Sequence, residues 1–125
     1  YFQSVKNPVN IKFVKAYKKY AIDHKLPNAD KVVTNDPMEA TYVGINMWKQ
    51  AVEKAGSTDV DKVRAAMAGQ SFAAPSGYTL TIDADNHHLH KPVMIGQIRA
   101  DGQFDVVYKS KDAIKAEPWS PYIPK

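Results

Sequence analysis

The sequence contains no cysteine among its 125 residues. This absence excludes disulfide bonds, thiolate metal ligands and a cysteine nucleophile, and it is compatible with either the cytoplasm or a bacterial periplasm. Long apolar runs are also missing, since no stretch approaches the ~20 residues that a membrane-spanning helix needs. Stability must therefore come from an ordinary hydrophobic core, which a chain of this length can supply for one modest domain.

Arginine is scarce. Arg64 and Arg99 are the two arginines, although the net charge is +4 and the isoelectric point is about 9.2. The lysines are spread along the chain, whereas a nucleic-acid-binding surface usually concentrates arginine and lysine on one face. We therefore expect no nucleic-acid partner.

Motifs for catalysis are missing too. Serines are few, none sits in a glycine-flanked nucleophile elbow, and no glycine-rich phosphate loop occurs. The sequence predicts neither enzymatic activity nor a cofactor.

The stretch from Asp36 to Gly56 predicts the main helix. Asp36 is the predicted N-cap, Pro37 occupies the first helical position, and Glu39 completes a capping box. Gly56 is predicted to end the helix in a left-handed conformation. Six apolar residues recur at spacings of three and four and are predicted to share one face: Met38, Tyr42, Ile45, Trp48, Val52 and Ala55.

Two further helices complete the region 7–69. Asn7 and Pro8 give a cap-then-proline signal for a helix that ends near His24. Thr58 is the predicted cap of a third helix, which Gly69 closes. The link between the central and third helices is short, so these two are expected to pack as neighbours.

After the helices, the apolar spacing changes to that of strands. Leu80 and Ile82 alternate with threonines, and the pair Asp101 and Gly102 is a hairpin signal. Strands are predicted within 76–109 as a small antiparallel meander, followed by an extended tail over 110–125. In that tail, Trp119 and Tyr122 are expected to anchor on an apolar surface.

By itself the chain reads as a small α+β unit of three helices and then strands. Three amphipathic helices need more sheet to cover than this meander offers, and the chain does not begin with Met. We therefore expect a piece of a longer protein, which as an isolated chain would self-associate through its uncovered helix faces.

Two runs carry a family resemblance: DPMEATYVGINMWKQAVEKAGSTDVDKVRAAMAGQSF and DADNHHLHKPVMIGQIRADGQFDVVY. They resemble the C-terminal part of periplasmic urea-binding and short-chain-amide-binding proteins, the solute receptors of ABC importers in the branched-chain amino-acid receptor class. The opening YFQSVKNPVN resembles the segment in which such chains leave the interlobe hinge, so residues 1–6 are expected to be hinge-like. His90 departs from the pattern, where a larger aromatic residue is expected.

The resemblance implies an α/β fold, the C-terminal portion of a two-lobed (type 1) periplasmic binding protein, with residues 1–125 as one incomplete domain. It implies a urea or short-amide ligand in the interlobe cleft, delivery to an ABC permease in the membrane, and a periplasmic location. It also implies that the start of the central helix faces the cleft. The candidate ligand-binding residues are Asp36, Pro37, Met38, Glu39 and Tyr42, with no catalytic residue and no metal ligand.

Other interpretations stay open. In one alternative, Asp36 and Glu39 form a capping box without touching ligand. In others, Met38 and Tyr42 are core residues, and residues 1–4 are an ordered hinge segment rather than part of the cleft mouth. A cytoplasmic amide sensor on the same fold is an alternative function. A third is a metal-binding or interaction module built on the loop that contains His87, His88 and His90.

Overall fold

The computed structural model describes residues 1–124, which form three helices and five short strands. The helices are α1 (Pro8–Asp23), α2 (Asp36–Ala55) and α3 (Val60–Met67). The strands are β1 (Ser71–Ala73), β2 (Thr79–Ile82), β3 (Leu89–His90), β4 (Met94–Ile98) and β5 (Phe104–Lys109). The predicted order of helices followed by antiparallel strands is confirmed. Within residues 1–124, no helix combines the length and apolar character needed to cross a bilayer.

Helix α1 begins as the sequence predicts. The Asn7 side chain accepts a hydrogen bond of 2.9 Å from the main-chain N–H of Asn10, and Pro8 occupies the first helical position. The helix ends before His24, whose ring stacks on Tyr20 with centroids 3.9 Å apart.

The predicted caps of the other two helices are each displaced by one residue. Helix α2 is capped by Asn35 rather than Asp36, because the Asn35 backbone is extended and its side chain accepts from the N–H of Met38 at 3.0 Å. Helix α3 is capped by Asp59 rather than Thr58, through a 3.1 Å bond from the N–H of Lys62. The predicted capping box of Asp36 and Glu39 is therefore wrong.

The buried face of α2 also differs from the predicted one. The buried residues of this helix are Glu39, Val43, Met47 and Ala51. In contrast, Ile45 is 62% exposed and Trp48 is 50% exposed. Apolar residues occupy much of the helix circumference, so their spacing alone could not decide which stripe faces the core.

The strands form two separate sheets. Strands β1, β2 and β3 pair antiparallel in that order, and β4 pairs antiparallel with β5 through the hairpin predicted at Asp101 and Gly102. A bulge interrupts the second pairing between Ile95 and Gly96. The first sheet starts at Ser71, before the predicted strand region. The sequence did not predict β1 because a strand of three residues is too short to show an alternating apolar pattern.

The core lies between α2, α3 and the first sheet. One cluster joins α2 to that sheet: Val43, Met47, Ala74, Leu80 and Ile82. A smaller cluster of Ala51, Val63 and Ala66 joins α2 to α3. Gly56, with φ of +60°, allows the close turn between these two helices.

The tail after β5 has no regular element among its described residues, apart from an isolated bridge between Lys91 and Ile114. Trp119 and Tyr122 are 79% and 93% exposed, so residues 1–124 provide no apolar surface for these predicted anchors.

Candidate functional site

The first turn of α2 holds all the candidate ligand-binding residues except Tyr42, which lies one turn further along. Asp36 and Pro37 are exposed, whereas Met38 is half-buried. The Pro37 carbonyl accepts a 2.9 Å hydrogen bond from the Thr41 hydroxyl, so it contributes to the local helix structure. Because the Asn35 side chain caps the helix, the Asp36 carboxylate does not act as the N-cap.

Glu39 is fully buried, which is unusual for an ionisable side chain. Its Oε2 atom lies 3.2 Å from Lys91 Nζ, and its Oε1 atom has no hydrogen-bond partner within the described protein. A buried carboxylate without a compensating cation is strongly disfavoured. Lys91 therefore supplies the charge that Glu39 requires.

Lys91 also reaches Asp36, with Nζ 3.4 Å from Asp36 Oδ1. The main-chain nitrogen of Tyr1 donates to the same oxygen at 2.7 Å. Partial burial raises the pKa of Asp36. The Tyr1 nitrogen and the Lys91 ammonium together lower this pKa by more than burial raises it, so it lies below its ordinary value. Asp36 is thus an ionised acceptor at the start of the helix.

A buried polar cluster lies beside this carboxylate pair. The Tyr1 hydroxyl bonds to Asn10 Oδ1 and to Thr34 Oγ1, at 2.5 Å and 3.0 Å. Gln3 Oε1 accepts from the main-chain N–H of Thr34 at 2.8 Å. Burial raises the pKa of Tyr1, and the negative charge of Glu39 adds to that rise, while the hydroxyl's two hydrogen bonds oppose it. The cluster connects the N-terminal segment with α1 and with the loop before α2.

The side chains of residues 1–4 are all engaged within the chain. Phe2 packs on Phe104 with ring centroids 4.7 Å apart, and Ser4 donates to the Phe104 carbonyl. These contacts describe an ordered segment, which favours the ordered-hinge interpretation over an open cleft lining. A hinge role for residues 1–6 stays a prediction.

Tyr42 stands between two aromatic rings. Its ring centroid lies 4.8 Å from that of Phe13 and 6.0 Å from that of Phe72, and the side chain is 38% exposed. It is therefore a fixed aromatic surface that still has solvent access. Contact between a ligand and Tyr42, or any of the four candidate residues of the first turn, stays a prediction.

The histidine loop has a structural arrangement. Asp83 is buried and accepts from His90 Nε2 at 3.0 Å and from the main-chain N–H groups of Asp85 and Asn86. The His90 hydrogen bond, followed by those two N–H groups, lowers the pKa of Asp83 to about 2. Among residues 1–124, no three potential metal-ligating side chains converge, so the loop gives the metal-binding alternative no support.

Sequence reasoning missed Asn35 and Lys91. Asn35 is itself a good capping residue. Proline prefers the first helical position, and that preference predicts Asp36, the residue before Pro37, as the cap. In the structure Pro37 occupies the second helical position, so the cap is Asn35. No pattern indicated Lys91, because it lies 52 residues after Glu39 and the contact depends on tertiary structure.

A sequence profile of the family described as "Periplasmic binding protein domain" matches residues 1–125. Among solved structures, the chain matches a solute-binding protein of an ABC transporter from Rhodopseudomonas palustris BisB5 in complex with 3,4-dihydroxybenzoic acid. The TM-score is 0.72 and the identity 26%, over 92% of this chain and 30% of that one.

Two other comparisons bear on the fold and on the extent of the chain. An ABC-type branched-chain amino acid transporter protein from R. palustris CGA009 gives a TM-score of 0.62 at 22% identity, over 87% of this chain and 28% of that one. A protein named limonene hydroxylase from Geobacillus stearothermophilus is 40% identical over 119 residues, which are 94% of this chain and 20% of that protein. The chain therefore spans about a third or less of each of these relatives.

Proposed function

This chain belongs to the periplasmic binding protein family, and on that premise we propose that it is the C-terminal part of a solute-binding component of an ABC importer. The solute that we propose is urea or a short-chain amide, bound between two lobes that close around it. Closure would present the loaded form to a membrane permease. The proposed location is the periplasm.

The observation that carries the ligand class is the charge at the start of α2. Asp36 and Glu39 bring two negative charges and Lys91 one positive charge, which leaves one negative charge. In the longer protein proposed here, the Tyr1 nitrogen is a peptide N–H and adds no charge. A ligand that donates N–H groups suits this surface, whereas a carboxylate ligand would be repelled.

The exposed atoms fit the same ligand class. Asp36 offers carboxylate oxygens to solvent, and Tyr42 offers an aromatic surface one turn away. A site that hydrogen-bonds an amide N–H discriminates against an analogue without that donor, because a polar group of the site is then left unpaired. Acetamide and acetate have nearly the same size, so they differ in this donor and in the negative charge of acetate.

A second ligand class deserves a direct test. The solute-binding protein from R. palustris BisB5, at 26% identity, is in complex with 3,4-dihydroxybenzoic acid. An aromatic acid would need a cation for its carboxylate. Lys91 already serves two carboxylates of this chain, which favours the amide class over the acid class.

Isothermal titration of the protein expressed from its whole coding region separates the two classes. Urea, acetamide and propionamide are titrated in parallel with acetate and 4-hydroxybenzoate. We expect saturable binding of at least one amide and none of acetate. Binding of 4-hydroxybenzoate alone would replace the amide proposal with the aromatic-acid one.

Location and activity are tested separately. Release of the protein by osmotic shock supports the periplasmic importer component, whereas retention with the cytoplasmic fraction supports the amide sensor. The expectation that the protein is not an enzyme stays a prediction, checked by recovering the titrated amide unchanged after prolonged incubation.

A further inference from the structure

Lys91 occupies a position between an exposed carboxylate and a buried one. It follows β3 directly, and its carbonyl accepts a 2.9 Å hydrogen bond from the N–H of Ile114. Its side chain is 29% exposed and reaches the first turn of α2. One ammonium group thus links two segments that are far apart in sequence.

The buried partner fixes where this ammonium lies. Glu39 has no exposure, and a fully buried carboxylate holds its counterion closely, because separating the two would leave an unpaired charge in the interior. Nζ is held 3.2 Å from Glu39 Oε2 and lies 3.4 Å from Asp36 Oδ1. Together with the main-chain nitrogen of Tyr1, which donates to the same oxygen at 2.7 Å, this ammonium favours one orientation of the Asp36 carboxylate.

We propose that Lys91 is a positioning residue for solute recognition: held by buried Glu39, it orients the exposed Asp36 carboxylate toward the N–H groups of an amide ligand. This inference rests on the proposed function and adds a residue that the candidate set does not contain. Lys91 itself need not contact the ligand. Its effect is to favour one orientation of the Asp36 carboxylate.

The test uses variants of the protein expressed from its whole coding region, with acetamide as the probe. The main variant is the double substitution Glu39→Gln with Lys91→Met. It keeps the net charge of the three groups at one negative charge and leaves no buried carboxylate unpaired, and a thermal melt checks that the variant is folded. Lys91→Arg is the conservative variant, and Lys49→Met, on the exposed face of the same helix, is the matched control.

We expect the double variant to bind acetamide about tenfold more weakly than the unmodified protein, while Lys91→Arg stays within about threefold and Lys49→Met is unchanged. The pKa of Asp36, measured by carboxylate NMR titration without ligand, should rise in the double variant. A purely structural role for Lys91 would instead weaken binding only in proportion to the loss of folded protein, which a thermal melt of each variant measures.

Two results overturn the inference. If the double variant binds acetamide within twofold of the unmodified protein and the pKa of Asp36 does not move, Lys91 does not position Asp36, and the amide receptor still stands. If the unmodified protein binds 4-hydroxybenzoate and no amide, the proposed function fails, and the role of Lys91 in amide recognition fails with it.

Discussion

The packed half of the molecule (α2, α3 and the first sheet) and the hairpin of β4 and β5 contain similar apolar residues. The two regions bury these residues very differently. In the packed half, Val43 and Leu80 have no exposure and Met47 has 1%. In the hairpin of β4 and β5, Ile98 is 69% exposed and Val107 is 59% exposed. Both regions form regular secondary structure. An alternating apolar pattern therefore predicts that a strand forms, but it does not predict whether other parts of the chain bury that strand.

The difference shows what each region depends on. The packed half has α2 and α3 on one side and the first sheet on the other, so its side chains are covered within this chain. The hairpin is contacted by Phe2 and Ser4 of the N-terminal segment, and the Tyr78 hydroxyl donates to the Ser110 carbonyl at its base. We expect the remaining apolar surface of the hairpin to be covered in the longer protein proposed above or, in the isolated chain, by self-association.

The largest expected effect comes from truncating a buried side chain in the packed half. Leu80→Ala should lower the free energy of unfolding by about 2–5 kcal/mol, because it opens a cavity in a fully buried cluster. Ile98→Ala in the hairpin should change it by about 0.5 kcal/mol or less. Urea denaturation of both variants measures the contrast, and equal losses would show that the hairpin is buried in solution.

A smaller effect is expected where the hairpin meets the N-terminal segment. A Cβ atom added at Gly96 would lie 2.7 Å from Phe2 Cζ and 3.1 Å from Phe104 Cβ. Gly96→Ala should therefore cost about 1 kcal/mol, since the ring must shift. The same substitution should cost less when Phe2 is already alanine, although the close approach to Phe104 Cβ remains, and a double-mutant cycle in urea denaturation measures the difference. An equal cost in both backgrounds would mean that Phe2 does not rest on Gly96.

The smallest effect depends on pH and concerns the turn after β2. Because the pKa of Asp83 is lowered to about 2, its stabilising contribution is present above the ordinary value of 3.8 and is lost as the pH falls from about 4 to 2. His90→Leu should weaken this dependence by removing the first cause of the shift. Thermal melts between pH 2 and 5 measure it, and identical slopes in the two proteins would contradict the assignment.

The sequence predicted a substantial part of this arrangement. The order of elements, the cap of α1, the end of α2 at Gly56 and the hairpin at Asp101 and Gly102 are all confirmed. Each depends on residues that are neighbours along the chain, such as a cap followed by proline or an aspartate followed by glycine. Local chemistry is sufficient for features of this kind.

The candidate site was predicted less completely. The family resemblance implies that the first turn of α2 faces the cleft, which stays a prediction, and the cap of that turn is Asn35 rather than Asp36. Glu39 was expected to serve the helix end, and it is instead buried against Lys91. A carboxylate at such a position can cap a helix or enter the interior, and the choice depends on a cation from another part of the chain.

By itself, the sequence determined the order of helices and strands, the helix ends to within one or two residues and the turn of the last hairpin, since capping, turn chemistry and apolar period act over a few residues. The tertiary structure decided which stripe of α2 is buried, how the strands divide into two sheets, and that Lys91 meets Asp36 and Glu39. These outcomes depend on contacts between segments tens of residues apart. Their energies are set by burial and charge pairing in three dimensions, which local spacing does not encode.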